Sequence, residues 1–427
     1  MNILIKDIGQ LVTCANKGKL PKAGKKQSET GLIRNGNIFI EKDKIAFAGS
    51  NAELKKFLAG SAVKNYDVID GRGKVITPGF IDSHTHFVFA GSREDEYEMR
   101  LAGKTYQEIA KAGGGILSTV NAVRNTNKNE LSEISGKRLD KFIKYGTTTI
   151  EGKSGYGLDL GNELKILEVM KELNENNKYG IDIIPTFLGA HSVHPEKSKE
   201  DYIYEICHNI ISIVSREGLA KFIDVFIEVN YFTKEEADKI FTFGKKYGLT
   251  AKLHTDQFNS IGGIETAIKH NAASVDHLEV LKEDDIERLA AHCKDKKKRN
   301  IIATVLPGVS YFLGIPYAPA RHLISKKIPV ALATDFNPGS CMTENIQMIM
   351  SLASVHLKMT AEEILNAVTI NAAFALNIEN TAGSIESGKQ ADLLIFDMPS
   401  YKYLVYNFGV SNLKTVIKKG KIVFPSN

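Results

Sequence analysis

Two histidines one residue apart, His84 and His86, close an apolar run over residues 77–86 that reads T-P-G-F-I-D-S-H-T-H. Side chains two apart in a strand point to the same face, so both imidazoles can converge on one ion. Catalytic zinc sites use imidazole and carboxylate ligands and keep one position open for water. An N/O donor set also suits iron. Strand period alone does not separate such a pair from two surface histidines at a strand end, so the company it keeps decides.

For strand-end ligands to meet, the fold must gather strand ends. From about Pro78 to Asn377, short apolar runs alternate with helix-periodic stretches, the rhythm of βαβ units and a parallel sheet. The runs are 79–83, 147–151, 181–188, 222–228, 249–254, 273–276, 301–306 and 330–334, with helical stretches at 163–176, 201–216, 234–247, 261–270 and 283–293. Eight strands with intervening helices predict an α/β fold, a TIM-like (β/α)8 barrel, rather than an open sheet. No glycine-rich dinucleotide fingerprint follows the first strand.

A barrel gathers its chemistry at the C-terminal ends of its strands. His84 and His86 end the first strand, Glu151 and Lys153 the second, and His191 follows the third. Glu228 ends the fourth, His254 the fifth, His277 the sixth and Asp335 the eighth. His84, His86, His254 and Asp335 then form a three-histidine, one-carboxylate metal set. His208, His270, His292 and His356 fall in helical stretches and His194 and His322 in loops, where a structural role is expected.

Both ends of the chain are β-rich, with short strand-like runs separated by Gly, Asn and Asp turn signals. Lys419-Gly420 marks a hairpin turn, and the polar, basic segment 16–31 predicts an exposed loop. The two ends are expected to build one smaller β-sandwich domain, 1–77 with 379–427, around the barrel at 78–378.

Bulk composition excludes several classes. The 427 residues are 43% hydrophobic and 25% charged, with a net charge of +5, ordinary for a globular protein. The lysines are dispersed rather than interleaved with aromatics, so no nucleic-acid surface is expected. Cys14, Cys207, Cys293 and Cys341 lie far apart with no CxxC spacing, which argues for a reducing cytoplasm and against a disulfide framework or thiolate zinc site. The N-terminus lacks a basic segment followed by a long apolar run, so no signal peptide is expected. No apolar stretch approaches the roughly 20 residues of a membrane span.

The 78–86 motif resembles the metal-binding signature of the amidohydrolase superfamily. The segments F-A-G-S-R-E-D-E-Y-E-M-R-L-A-G-K-T-Y-Q-E-I-A-K-A-G-G-G-I (89–116), G-T-T-T-I-E-G-K-S-G-Y-G-L-D (146–159), T-F-L-G-A-H-S-V-H-P-E (186–196) and A-T-D-F-N-P-G-S (333–340) narrow it, and resemble the imidazolonepropionase family over nearly the whole chain. That resemblance implies hydrolysis of 4-imidazolone-5-propanoate to N-formimidoyl-L-glutamate in histidine degradation, one Zn or Fe ion per subunit, and a homodimer. It matches His84, His86, His254 and Asp335 to metal ligands, and Arg93, Tyr156, His191, Gln257, Asn337, Gly339 and Ser340 to substrate contacts. His277 matches the histidine beside the reacting water, so Asp335 and His277 are the expected catalytic pair.

The residue chemistry agrees. A propionate tail calls for a planar cationic fork, which Arg93 offers; an outward loop salt bridge is its ordinary alternative. Tyr156 stands between glycines in a turn expected to be exposed, where a large side chain meets ligands. Residues 113–115 are three glycines without the Lys-Ser/Thr of a phosphate loop, and predict a turn near the mouth. His254-Thr255-Asp256-Gln257 carries glutamine where deaminases of the superfamily carry a proton-shuttling glutamate. An amide only donates to a carbonyl and accepts from a ring N–H, which argues against a heterocyclic-ring aminohydrolase, the alternative enzyme. Asp256 is expected to point away from the site. Lys153 belongs to the second strand rather than the fourth, where a carboxylated lysine bridges two metals, so one metal is expected. A non-catalytic scaffold would have no need of the full ligand set.

Overall fold

The computed structural model describes residues 2–16, 20–104, 108, 114–295 and 297–425. Among the described residues five strands precede the barrel: β1 (Asn2–Val12), β2 (Leu32–Glu41), β3 (Lys44–Gly49), β4 (Asp67–Asp70) and β5 (Val75–Pro78). The barrel strands are β6 (Phe80–Asp82), β7 (Thr147–Lys153), β8 (Asp182–Ala190), β9 (Phe222–Ile227), β10 (Thr250–Thr255), β11 (Ser274–His277), β12 (Ile302–Val305) and β13 (Val330–Leu332). Three more follow: β14 (Leu393–Phe396), β15 (Leu413–Lys418) and β16 (Lys421–Phe424).

The barrel sheet runs β6 to β13 in chain order, each neighbouring pair parallel. It closes just above β6 and β13. Asp335 N donates to His84 O and His86 N to Phe336 O, both at 3.0 Å, around a parallel bridge between Thr85 and Phe336. The seam of the barrel is therefore made by the backbone of three expected metal ligands. Ile81, Phe222, Ala273, Ile302 and Ala331 floor the barrel against Ala372, Ala373 and Leu376, at the end of the helix Ile370–Ala375.

The terminal strands form one continuous hydrogen-bonded sheet, ordered β16-β15-β14-β5-β1-β2-β3 with β4 also on β1. Its own apolar core includes Ile3, Ile5, Ile38, Ile40, Leu393 and Ile417. Lys419 and Gly420 both have positive φ (48° and 73°), as a tight β15–β16 hairpin turn requires. β5 sits between β1 and β14, and Gly79 alone separates it from β6. A Cβ at Gly79 would lie 2.2 Å from Thr148 Oγ1, so only glycine lets the chain cross from one sheet to the other there.

One expectation holds only in part. The described part of segment 16–31 exposes Leu20, Lys25, Lys26, Ser28, Glu29 and Gly31 but buries Pro21, Lys22, Gly24, Gln27 and Thr30; residues 17–19 lie outside the described set. Gln27 is fully buried and its amide exchanges two hydrogen bonds with the backbone of Val330, at the start of β13 (3.0 and 3.2 Å). Asn371 Nδ2 donates to the carbonyls of both Lys22 and Val330. Barrel strands leave main-chain groups unpaired at their ends, and buried ones need partners. Polar composition marks the segment as loop but does not say whether its amides meet water or backbone.

Lys418, on β15, joins the two sheets. Its buried Nζ lies 2.7 Å from Asp392 Oδ2 and 2.8 Å from Asp182 Oδ2 at the start of β8. Among the described residues no helix is long and apolar enough to cross a membrane. Lys418→Met should leave buried Asp392 without its cation beside an Asp182 that keeps Lys419 (2.6 Å), and cost about 3 kcal/mol. Urea unfolding checks this, and an unchanged midpoint would mean the cluster holds nothing together.

Candidate metal centre and active-site pocket

Inward side chains recur every second residue along the barrel strands, so residues 151/153, 252/254 and 82/84/86 are stacked in register. The lower members form a dry charged layer. Lys153 Nζ lies 2.7 Å from Asp224, 3.0 Å from Glu151 and 3.4 Å from Asp276, and Lys252 Nζ lies 3.1 Å from Glu151; all five side chains have no exposure. With three carboxylates around it, Lys153 is held strongly as the ammonium: burial opposes the charge, and Asp224, Glu151 and Asp276 more than reverse it.

The histidines stand on this layer. Asp276 Oδ2 accepts from His84 Nδ1–H (2.7 Å), and Asp224 accepts from His254 Nδ1–H (3.0 Å). Carboxylates only accept, so each bond fixes the proton on Nδ1 and turns a bare Nε2 toward the axis. Burial first, and then neighbouring cations, hold His84, His86 and His254 well below the usual imidazole pKa, so all three are neutral and fit to ligate.

Their free nitrogens converge. His84 Nε2 and His86 Nε2 lie 3.3 and 3.5 Å from Asp335 Oδ1, and His254 Nε2 lies 3.3 Å from His86 Nε2. His84 Nε2 is buried without a hydrogen-bond partner. Lone pairs crowded this closely repel unless a cation lies among them, and three imidazoles with one carboxylate are a donor set that could hold a divalent metal ion. Burial pushes the Asp335 carboxyl up to about 7, a shift that a cation at this point reverses.

His277 needs a break in the strand pattern. Consecutive side chains on a strand point oppositely, yet Asp276 holds His84 while His277 lines the pocket. His277 (φ 86°) and Leu278 (φ 73°) turn the backbone left-handed, and Asp335 (φ 55°) does the same after β13. Such conformations cost about 1–3 kcal/mol each and gather at functional sites. Burial opposes protonation of His277, but Glu279, 3.5 Å from Nδ1, outweighs it and its pKa is raised.

Above the ion position lies a pocket of about 90 Å³. Arg93, Tyr156, His191, Gln257, Asn337, Gly339 and Ser340 all line it, together with His277 and Asp335. Arg93 combines both of its expected readings. Nε and Nη2 grip Glu96 Oε2 (3.0 and 2.8 Å), while Nη1 lies against Gly339, where a Cβ would come within 2.1 Å of it. Glu96 Oε1 in turn accepts from Gly115 N (3.1 Å), tying down the described end of the expected 113–115 turn; Gly113 lies outside the described residues. His191 stacks on His86 with ring centroids 4.9 Å apart and donates Nδ1–H to Gly155 O (3.1 Å).

Several details differ from expectation. Tyr156 is only 2% exposed, because its loop folds inward over the barrel mouth rather than outward into solvent. Asn337 is saturated by its own loop: Nδ2 donates to Asp335 O and Ser340 Oγ, and Oδ1 accepts from the amides of Gly339 and Ser340. It therefore shapes the loop, while Ser340 Oγ donates to Asp335 Oδ2 (3.1 Å). Glu228 is taken up by main-chain donors: its carboxylate accepts from the amides of Val229, Phe258 and Asn259, clasping the loops after β9 and β10. Asp256 is buried, accepts from Thr255 Oγ1 and stays out of the pocket. His194 meets Arg124 (3.3 Å) and does not line the pocket.

Sequence reasoning missed Asp224 and Asp276, the histidine anchors, and the apolar wall of Phe226, Tyr231, Phe258, Ile116 and Leu313. A signal existed for the first two: an isolated carboxylate in an otherwise apolar strand, as in F-I-D-V-F-I, is buried and needs a partner.

A closed parallel barrel with a histidine-carboxylate centre at the C-terminal mouth defines a metal-dependent hydrolase. The chain belongs to the amidohydrolase family, whose model matches residues 75–423. Within it the chain falls among the imidazolonepropionases: it is 44% identical over 423 residues to that of Shouchella clausii (99% of this chain, 92% of the relative). It is 43% identical over 425 residues to that of Fusobacterium nucleatum (99% of each). The fold is shared with a zinc-bound adenosine deaminase from Xanthomonas campestris (TM-score 0.71, 14% identity, 98% and 92% covered). It is also shared with a triazine hydrolase variant (TM-score 0.73, 16% identity, 99% and 94% covered).

Asp276→Asn should lower metal affinity about 10- to 100-fold, since the outer partner of a ligating histidine orients it and raises its basicity. Chelator competition followed by metal analysis checks this, and an unchanged affinity would remove Asp276 from the site.

Proposed function

We propose that the protein is an imidazolonepropionase, hydrolysing the cyclic amide of 4-imidazolone-5-propanoate to N-formimidoyl-L-glutamate. The observation that carries this is Arg93, set against Gly339 at one side of the pocket whose other side is the histidine-aspartate centre. That spacing suits a small ring bearing a carboxylate tail. His84, His86, His254 and Asp335 hold one ion, Zn or Fe. When bound, that ion supplies Lewis acidity, lowering the pKa of a ligated water toward about 7 and polarising the scissile carbonyl.

The residues divide the remaining work. Arg93 keeps Nη1 and one proton of Nη2 outside its Glu96 pair, a bidentate edge for the propionate. Tyr156 and His191 hold the substrate from the β7 and β8 side, His191 with Nε2 left as an acceptor by its bond to Gly155. Gln257 donates to the ring carbonyl or accepts from a ring N–H, and cannot shuttle protons. Asp335 accepts the proton of the attacking water, its orientation fixed by Ser340. His277 orients that water and stabilises the oxyanion as the tetrahedral centre forms, and the proton taken up by Asp335 passes to nitrogen, directly or relayed through His277, as the C–N bond breaks. Asn337 serves by shaping the loop that carries Gly339 and Ser340. The cytoplasmic setting rests on free thiols at Cys14, Cys207, Cys293 and Cys341, and the homodimer on the family resemblance.

Purified protein should consume imidazolonepropionate, followed by its ultraviolet absorbance, without releasing ammonia, and should stop after chelation. Ammonia release, or activity that survives metal removal, would sink the proposal. Gly339→Ala should push the Arg93 guanidinium aside and raise KM about tenfold or more with a smaller change in kcat. His277→Phe should retain metal yet lose most turnover; steady-state kinetics on metal-loaded variants test both.

A further inference from the structure

Glu163 lies in the first turn of the helix Leu160–Asn176, and its side chain has no exposure. It reaches back over the preceding loop. Oε1 accepts from Gly157 N (2.8 Å) and Leu158 N (3.0 Å), and both oxygens lie within 3.2 Å of Gly155 N. The Ser154 hydroxyl is a further partner. A buried carboxylate persists only where hydrogen bonds replace its water, and here main-chain amides of one short loop do most of this.

That loop has a shape few sequences adopt. Gly155 (φ 107°) and Leu158 (φ 55°) are left-handed, and a Cβ on Gly157 would lie 2.4 Å from Glu163 N. The strained turn delivers two groups to the pocket. Tyr156 faces His86 and His191 at ring-centroid distances of 5.8 and 5.5 Å, and the Gly155 carbonyl accepts from His191 Nδ1–H. Glu163 itself is absent from the pocket lining.

We infer that Glu163 is a positioning residue for the substrate: its carboxylate holds the 154–158 loop in the shape that sets Tyr156 against the pocket and aims the Gly155 carbonyl at His191. Glutamine in its place would remove the charge that all three amides share and, with its oxygen kept at Oε1, would set its NH2 about 3 Å from Gly155 N–H, a donor against a donor. Aspartate would keep the charge but fall one methylene short. The kinetic part of this inference rests on the imidazolonepropionase reading; the structural part does not.

The test uses metal-loaded, full-length wild type, Glu163→Gln, Glu163→Asp, Tyr156→Phe and the Glu163→Gln/Tyr156→Phe double variant. Amide hydrogen exchange at Gly155, Gly157 and Leu158 should accelerate about tenfold or more in both Glu163 variants, with metal content unchanged. KM for imidazolonepropionate should rise about tenfold with a smaller effect on kcat. Adding Tyr156→Phe to Glu163→Gln should cost less than the product of the single losses, because both act on one contact. A merely structural Glu163 would lower stability but leave KM unmoved, and its effect would multiply with that of Tyr156→Phe; either result overturns the inference. Should Glu163→Gln not fold, Glu163→Asp carries the same expectations, paired with Tyr156→Phe in its place. If wild type leaves imidazolonepropionate untouched, the functional reading fails, and the exchange experiment alone decides the clasp, with unchanged protection counting against it.

Discussion

Lys153 and Lys252 are buried without exposure among Glu151, Asp224 and Asp276 in the middle of the barrel, and the reactive end of the molecule stands on them. Isolated, any one of these charges would be strongly disfavoured so far from water. Together the two ammonium groups offset all but one of the three carboxylate charges, and oxygens of Asp224 and Asp276 remain available to the histidines above. Those bonds fix two imidazole tautomers, and fixed tautomers direct bare nitrogens at a common point. An apolar barrel interior would pack as well but would leave the histidine rings free to turn.

Carboxylates shielded wholly or in part from water also organise the mouth. Glu96 holds Arg93 and Gly115, Glu163 gathers the loop after β7, and Glu228 joins the loops after β9 and β10. Asn337 does the corresponding work after β13 with a neutral amide. Loops normally sit on the surface because their backbone needs water. Here side-chain oxygens replace that water, so residues such as Tyr156 and Gln257 can be held at a pocket on irregular backbone. Rigid loops matter because a misplacement of about 1 Å at a reacting centre is costly in rate.

Barrel closure and ligand placement are one event. The hydrogen bonds between residues 84–86 and 335–336 complete the cylinder, and the same residues carry His84, His86 and Asp335. The terminal sheet contributes from the other end. β5 lies in its middle and passes through Gly79 directly into β6, so the strand that starts the metal site is anchored by a sheet built from both chain ends.

Much of this was legible in the residue order. Eight apolar runs, their helices, the β-rich ends and the Lys419-Gly420 turn follow from periodicity and turn chemistry, because these depend on neighbours a few residues away. Side chains at strand ends named the candidate ligands His84, His86, His254 and Asp335, which the structure brings together, since barrel geometry leaves strand-end groups few places to go. Tertiary structure alone decided the rest. It put Asp276 and His277 on the same interior through a left-handed turn, buried Gln27 against β13, saturated Asn337 and gave Glu163 its loop. Each depends on which backbone groups are left without partners once the barrel has closed. That is set by the register of strands far apart in the chain, and no local pattern of residues encodes it.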